Sequence, residues 1–389
     1  MTNVAGPPAT PALGASAYLD SSSGEPLHPA ARAALLAALD QGYADPRRVH
    51  GPGRNARLLL DNARAVVAQC LGVRPDEVSF TGSGTEAVHR ALLGLHRGRT
   101  RVADTIAHSA IEHSAVLEAV RWSQAPSCSL PVDRGGIVSI PELQAAVADS
   151  SGPLTVAAVQ LANPEVGVIQ PIAELAELLG DVPLFMDACA ATGRIAWPNG
   201  WQAAAASAHK WGGPAGLGLL VVRKGARWRN PFPVDDRVDP RVSGFENVPA
   251  ALAAAAALQA VLSEQAESTA RHAALSSQLR ADLSTVPDLE LVSPAGGGLP
   301  HLVAFSCLYV DGEALVTALD RRGFGVASGS ACTSSTLSPS HVLEAMGVLT
   351  HGNVRVSWGP LTTSADVTAF TTALREVVSG LRDGLGLDR

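Results

Sequence analysis

Of the 29 basic residues in this 389-residue chain only two are lysines, Lys210 and Lys224, and the rest are arginines. A guanidinium stays protonated, whereas a lysine amine can lose its proton and condense with a carbonyl. Lys210 lies in Ser207-Ala208-His209-Lys210-Trp211-Gly212-Gly213-Pro214, a turn rich in small, hydroxyl and imidazole groups, and is a candidate for that chemistry. Lys224, in Val222-Arg223-Lys224-Gly225, reads as a surface charge.

Three further groups suit a lysine of this kind. In Phe80-Thr81-Gly82-Ser83-Gly84-Thr85-Glu86 a strand runs into a glycine turn and a helix start. Bare amides and hydroxyls at a helix N-terminus seat a phosphate, although such turns also simply cap helices. The stretch is neither a Walker A loop nor G-x-G-x-x-G, which disfavours nucleotide binding. Asp187 ends an apolar run, Val182–Asp187, where open α/β sheets bind ligands. Alone it would more often cap the next helix. His113, in Ile111-Glu112-His113-Ser114, offers a flat ring and would alone more often be structural. A Schiff-base lysine, a phosphate seat, an acid for a ring nitrogen and a flat group over the ring are together what pyridoxal 5′-phosphate requires.

Two more residues extend the set. Cys332, in Ala327-Ser328-Gly329-Ser330-Ala331-Cys332-Thr333-Ser334-Ser335, sits among small residues, where a thiolate is accessible as a nucleophile. Cys70 and Cys307 read as core, and Cys128 and Cys189 as ordinary. Arg355, on the strand-like Val354-Arg355-Val356-Ser357, is equally suited to clamp a substrate carboxylate or to form a structural ion pair.

The elements that must position these groups alternate. Helices are expected at Arg57–Leu71, Thr85–Leu95, Ser114–Trp122 and Ile172–Leu179. Strands are expected at Glu77–Phe80, Arg101–Ala107, Leu154–Leu161, Val182–Asp187 and Gly216–Arg223. Continuous apolar strands between helices argue for a mostly parallel sheet covered on both faces. Beyond Pro249 the pattern changes to a long Ala-rich helix (Ala250–Leu283), short strands at Leu289–Val292 and Leu302–Cys307, and a helix from Gly312 to Arg321. The fold class is α/β, with residues 28–249 as a large domain and 1–27 with 250–389 as a smaller α/β domain carrying Cys332.

A net charge of −7 and 4% aromatics give no electrostatic or stacking case for nucleic acid or an anionic membrane. Residues 1–16 lack a basic n-region and a sustained apolar core, so no signal peptide is read. Five scattered cysteines without C-x-x-C spacing argue against disulfides and zinc and fit a reducing cytoplasm.

The order of these motifs resembles the class V pyridoxal-phosphate aminotransferase superfamily and, within it, the cysteine desulfurases with a long active-site cysteine loop. The similarity runs from Ala17-Tyr18-Leu19-Asp20 to Leu361-Thr362-Thr363. It is most specific at Ser328–Ser334 with Leu337–Leu343, at Ser207–Lys210 and at Asn163–Pro171. The resemblance implies an aminotransferase-like fold with Lys210 bound to the cofactor, Asp187 on its ring nitrogen and His113 stacked on the ring. Gly84, Thr85, Ser207 and His209 would hold the phosphate, and Asn163 would substitute for the cofactor-contacting amide that the family has at position 164. Cys332 would accept sulfur from L-cysteine, Arg355 would bind the substrate carboxylate, and the persulfide would pass to an acceptor protein from a homodimer. Three positions depart from the family pattern. Ala190 and Pro164 stand where amides would contact the cofactor's phenolic oxygen, and Phe245 where a threonine would reach the partner subunit's phosphate. Each lost hydrogen bond costs cofactor binding on the order of 1 kcal/mol. A C–S or selenocysteine lyase, and a non-catalytic scaffold, are the alternatives.

Overall fold

The computed structural model describes residues 17–149, 153–329 and 339–383. In chain order the elements are β1 (Ala17–Tyr18), α1 (Pro29–Leu39), α2 (Gly51–Leu71), β2 (Val78–Thr81), α3 (Gly84–Arg99), β3 (Thr105–Ser109), α4 (Ser114–Ser123) and β4 (Ser127–Leu130). There follow α5 (Ile140–Asp149), β5 (Leu154–Gln160), α6 (Ile172–Leu179), β6 (Leu184–Asp187), β7 (Ala203–Ser207) and β8 (Gly218–Val222). The remainder is α7 (Val248–Ser263), α8 (Gln265–Leu283), β9 (Leu289–Leu291), β10 (Leu302–Cys307), α9 (Gly312–Asp320), β11 (Phe324–Gly325), α10 (His341–Met346), β12 (Asn353–Ser357) and α11 (Ser364–Asp383).

Seven strands form the main sheet in the order β2-β8-β7-β6-β5-β3-β4. All neighbours are parallel except β8, which is antiparallel to both β2 and β7. The central strands β5, β6 and β7 are buried at every position, as expected for a sheet with helices on both faces. β7 is four alanines and a serine. Ala204 and Ala206 join the core shared with α2 and α7, while Ala203 and Ala205 join the one shared with α3 and α4. Alanine on both faces lets helices lie close against the sheet. Gly84, at the start of α3, touches β7 so closely that a Cβ there would fall 2.6 Å from Ser207 Cβ and 2.8 Å from its Oγ.

The expected helix over Ala250–Leu283 is two helices, broken at Glu264, whose N–H closes α7 on Ala260 and Leu262. α7 packs with α1 and α2 against the main core. A second core gathers around the three-stranded sheet β12-β10-β9, with Phe305, Trp358, Phe370 and Leu374 fully buried. Among the described residues no helix is long and apolar enough to cross a membrane.

Candidate active site

The chain runs from β3 outward to β4 and returns to β5 on the other side of β3, a reversal that opens a crevice at the carboxyl edge of the sheet. A pocket of about 220 Å³ lies at this edge. Its wall includes Gly84 and Thr85 from α3, His113 before α4, Gln160 at the end of β5, Asp187 at the end of β6, Ser207 at the end of β7, and His209, Lys210 and Arg355.

Each side chain is held by its neighbours. Lys210 Nζ donates to the carbonyls of Ser22 and, at 3.1 Å, Ser23. Asp187 Oδ1 accepts from the Cys189 N–H at 2.9 Å, so the residue both caps the turn after β6 and faces the pocket. His113 caps α4, its Nδ1 accepting from Ala115 N–H at 3.1 Å. Burial pulls the His113 pKa down, with Lys210 and His341 adding to the effect and Asp187 opposing it, which keeps the ring neutral. Ser207 Oγ and His209 Nδ1 lie 3.0 Å apart, and burial, then Lys210, lowers the His209 pKa. The missing Cβ of Gly84 brings the first turn of α3, whose N–H groups have no intrahelical acceptor, against this Ser207–His209 pair.

Arg355 realises both readings of its strand. Its NH2 donates to Asp20 Oδ1 and Ser23 Oγ, each at 2.6 Å, and NH1 to the Pro164 carbonyl at 3.0 Å, yet it lines the pocket. Cys189 also lines it. Burial pushes its thiol well above the usual range and Asp187 adds to this, so it is a neutral thiol here.

Some expected residues lie elsewhere. Asn163 is buried, but its Oδ1 accepts from Glu165 and Val166 N–H at 2.8 and 2.9 Å and its Nδ2 donates to Ile111 O at 3.2 Å. Its Oδ1 is used inside its own turn and its Nδ2 on Ile111, and the residue lines a neighbouring cavity of about 460 Å³ instead of the pocket. Pro164 and Ala190 do line the pocket. Gln160 stands in the same wall, its Nε2 bonded to Ile111 O. Phe245 is 60% exposed, beneath the Arg237 guanidinium at 5.0 Å and away from the pocket. Cys332 lies outside the described residues.

Sequence reasoning missed Gln160, Cys189 and the Ser22–Ser23 carbonyls. Gln160 had a signal, since it is the polar end of an apolar strand, as Asp187 is. Ser23 had none, being 187 residues from the lysine it receives.

The profile of the family described as "Aminotransferase class-V" matches residues 17–370. The chain belongs to the class-V aminotransferase family. It is 34% identical over 387 residues to an IscS-like cysteine desulfurase of Mycobacterium tuberculosis, covering 94% of this chain and 97% of that one. It is 31% identical over 377 residues to cysteine desulfurase IscS of Dictyoglomus turgidum, covering 94% and 95%. A solved structure of a NifS-like protein superposes with a TM-score of 0.85 at 27% identity, covering 94% of this chain and 100% of that one.

Proposed function

We propose that this class-V family member is a cysteine desulfurase that binds pyridoxal 5′-phosphate in the pocket, takes sulfur from L-cysteine, releases L-alanine and carries the sulfur on Cys332 for an acceptor protein. The observation that carries the reading is the convergence of Lys210, Asp187, His113 and the Gly84–Ser207–His209 corner around one cavity. The donor set fits the cofactor. The α3 amides with Thr85, Ser207 and His209 would hold its phosphate, Asp187 its protonated ring nitrogen, the flat His113 ring its face, and Lys210 Nζ its aldehyde carbon. When bound, the cofactor supplies a sink for electrons released at the substrate carbons. Among the described residues Gln160 is the one amide side chain in the pocket wall, where the resemblance implied two.

The chain's own groups do the rest. Arg355 takes the substrate carboxylate beside Ser23, its NH2 turning to it from Asp20 and Ser23. Lys210 Nζ moves the proton at the substrate α-carbon, and the Ser22 and Ser23 carbonyls fix where that amine points. The Cys332 thiolate bonds to the substrate sulfur as the carbon–sulfur bond breaks. The electron pair of that bond stays on the carbon side, where a proton completes the methyl group of alanine. Cysteine and a thiol thus become alanine and a persulfide with no outside oxidant or reductant. Ala190 and Pro164 in the pocket wall favour a second reading, a C–S or selenocysteine lyase whose product release ignores Cys332. The family resemblance supports a homodimer, the scattered cysteines support a reducing cytoplasm, and we keep the division into a large unit at 28–249 and a smaller one from 1–27 and 250–389.

The test is the visible absorption of the protein supplied with pyridoxal 5′-phosphate, before and after L-cysteine. A protein-bound band that changes with cysteine and is absent in Lys210→Ala is expected. An equal band in Lys210→Ala, or none in the parent, overturns the reading.

A further inference from the structure

None of the roles above uses Glu165. Its side chain is buried, its Oε1 has no hydrogen-bond partner, and the Ser340 side chain lies against its carboxyl. Ser340 is itself buried and caps α10, its Oγ accepting from Leu343 N–H at 3.3 Å. On the other side Glu165 meets Gly329. A Cβ at 329 would collide with Glu165 Oε1 and stand 2.9 Å from Asn353 Oδ1, which accepts the Gly329 N–H at 2.9 Å. Any larger residue there would have to displace the Glu165 carboxyl. The turn that carries Glu165 is also tied to the pocket, since Asn163 Oδ1 holds the Glu165 N–H and Arg355 NH1 donates to Pro164 O. Next to Ser340, His341 Nε2 lies 2.9 Å from the carbonyl of Glu112, the residue before His113. Burial raises the carboxyl's pKa, and Ser340, His341 and Arg355 pull against it. In the sequence, Gly329 and Ser340 bracket the stretch that contains Cys332.

We propose that Glu165 is a positioning residue for sulfur transfer, holding Gly329 and Ser340, the two ends of the Cys332 stretch, at a fixed place beside Arg355. The proposal rests on the reading of Cys332 as the sulfur acceptor. Displacement of a reacting group by about 1 Å costs on the order of a hundredfold in rate, so loss of this anchor acts on the transfer step.

The experiment compares the full-length parent with Glu165→Ala and Glu165→Gln. The cysteine-induced absorption change reads substrate binding, and mass spectrometry of Cys332 in a single turnover reads sulfur loading. Limited proteolysis of the cofactor-free protein between Gly329 and Ser340 reads the anchor itself. Glu165→Ala is expected to keep the parent's half-saturation for cysteine, to load Cys332 about tenfold or more slowly, and to be cut faster in that stretch. Glu165→Gln, with the same shape and an acceptor for Ser340, restores all three. Loading and cleavage at parental rates in Glu165→Ala, or a loss of cysteine binding in proportion to loading, overturns the proposal. Alanine formation at the parental rate in Cys332→Ser would instead overturn the reading of Cys332 on which it rests.

Discussion

Replacing Glu112 with glutamine removes a buried acid from the wall behind His113. Glu112 is fully buried, its Oε1 accepts from Ser109 Oγ and from Gln160 N–H at 2.8 Å, and its Oε2 has no partner. Burial lifts its pKa from an ordinary 4.5 to about 8, with Asp187 adding a little and the two hydrogen bonds opposing. Between those values the native carboxyl is protonated and the unfolded one is ionised. Unfolding therefore releases a proton, and raising the pH favours the unfolded chain. The stability that the neutral carboxyl contributes is complete below about 4.5 and is lost by about 8. Each pH unit in that window is worth about 1.4 kcal/mol, so a rise from about pH 6 to about pH 7.5 removes about 2 kcal/mol. A chain of this length unfolds with an entropy of about 0.8 kcal/mol per degree, which converts that loss to roughly 2.5 °C. Glutamine does not titrate. Its unpaired amide hydrogens cost about 1–3 kcal/mol, but equally at every pH. The assay is the thermal midpoint of parent and Glu112→Gln in matched buffers, so that other titrating groups cancel. The midpoint of the variant minus that of the parent is expected to rise by roughly 2.5 °C over this range and to level off above about pH 8. A difference independent of pH would refute the reasoning.

Two substitutions probe the pocket. Gly84→Ala forces a Cβ to within 2.6 Å of Ser207, at a cost of about 1–3 kcal/mol in overpacking. If half of that falls on the phosphate seat, affinity for pyridoxal 5′-phosphate drops about two- to tenfold, and unchanged affinity in a fluorescence titration would contradict the seat. Arg355→Gln removes a charged donor worth about 1.5–3 kcal/mol, so KM for L-cysteine rises on the order of tenfold to a hundredfold while cofactor binding stays. An unchanged KM would remove Arg355 from the substrate site.

Part of the pocket wall was legible: Asp187 is the polar end of the apolar strand Leu184-Phe185-Met186, and Lys210 stands out in a chain with two lysines. Gln160 and Ser207 end strands in the same way, but neither was read so from the sequence. β7 itself was not legible. An alanine run carries a helical propensity, and only its seat between β6 and β8, with helices on both faces, makes it a strand. Asn163 carries no comparable signal: only the resemblance made it a cofactor contact, and in the fold its Oδ1 accepts from the N–H groups of its own turn, as short polar side chains do when backbone N–H groups lie within reach. The carbonyls that hold Lys210 leave no mark in a sequence, because any residue provides one and only the fold brings Ser22 and Ser23 to the amine.

The central claim is that sulfur leaves L-cysteine onto Cys332. It is tested most directly by mass spectrometry of the Cys332 peptide after a single turnover with L-cysteine, alongside a measurement of alanine. The account predicts a Cys332 peptide heavier by one sulfur atom, removable by a thiol reductant, in step with one alanine per site, and neither product at a comparable rate in Cys332→Ser. Alanine and free sulfide formed together with an unmodified Cys332 would contradict it.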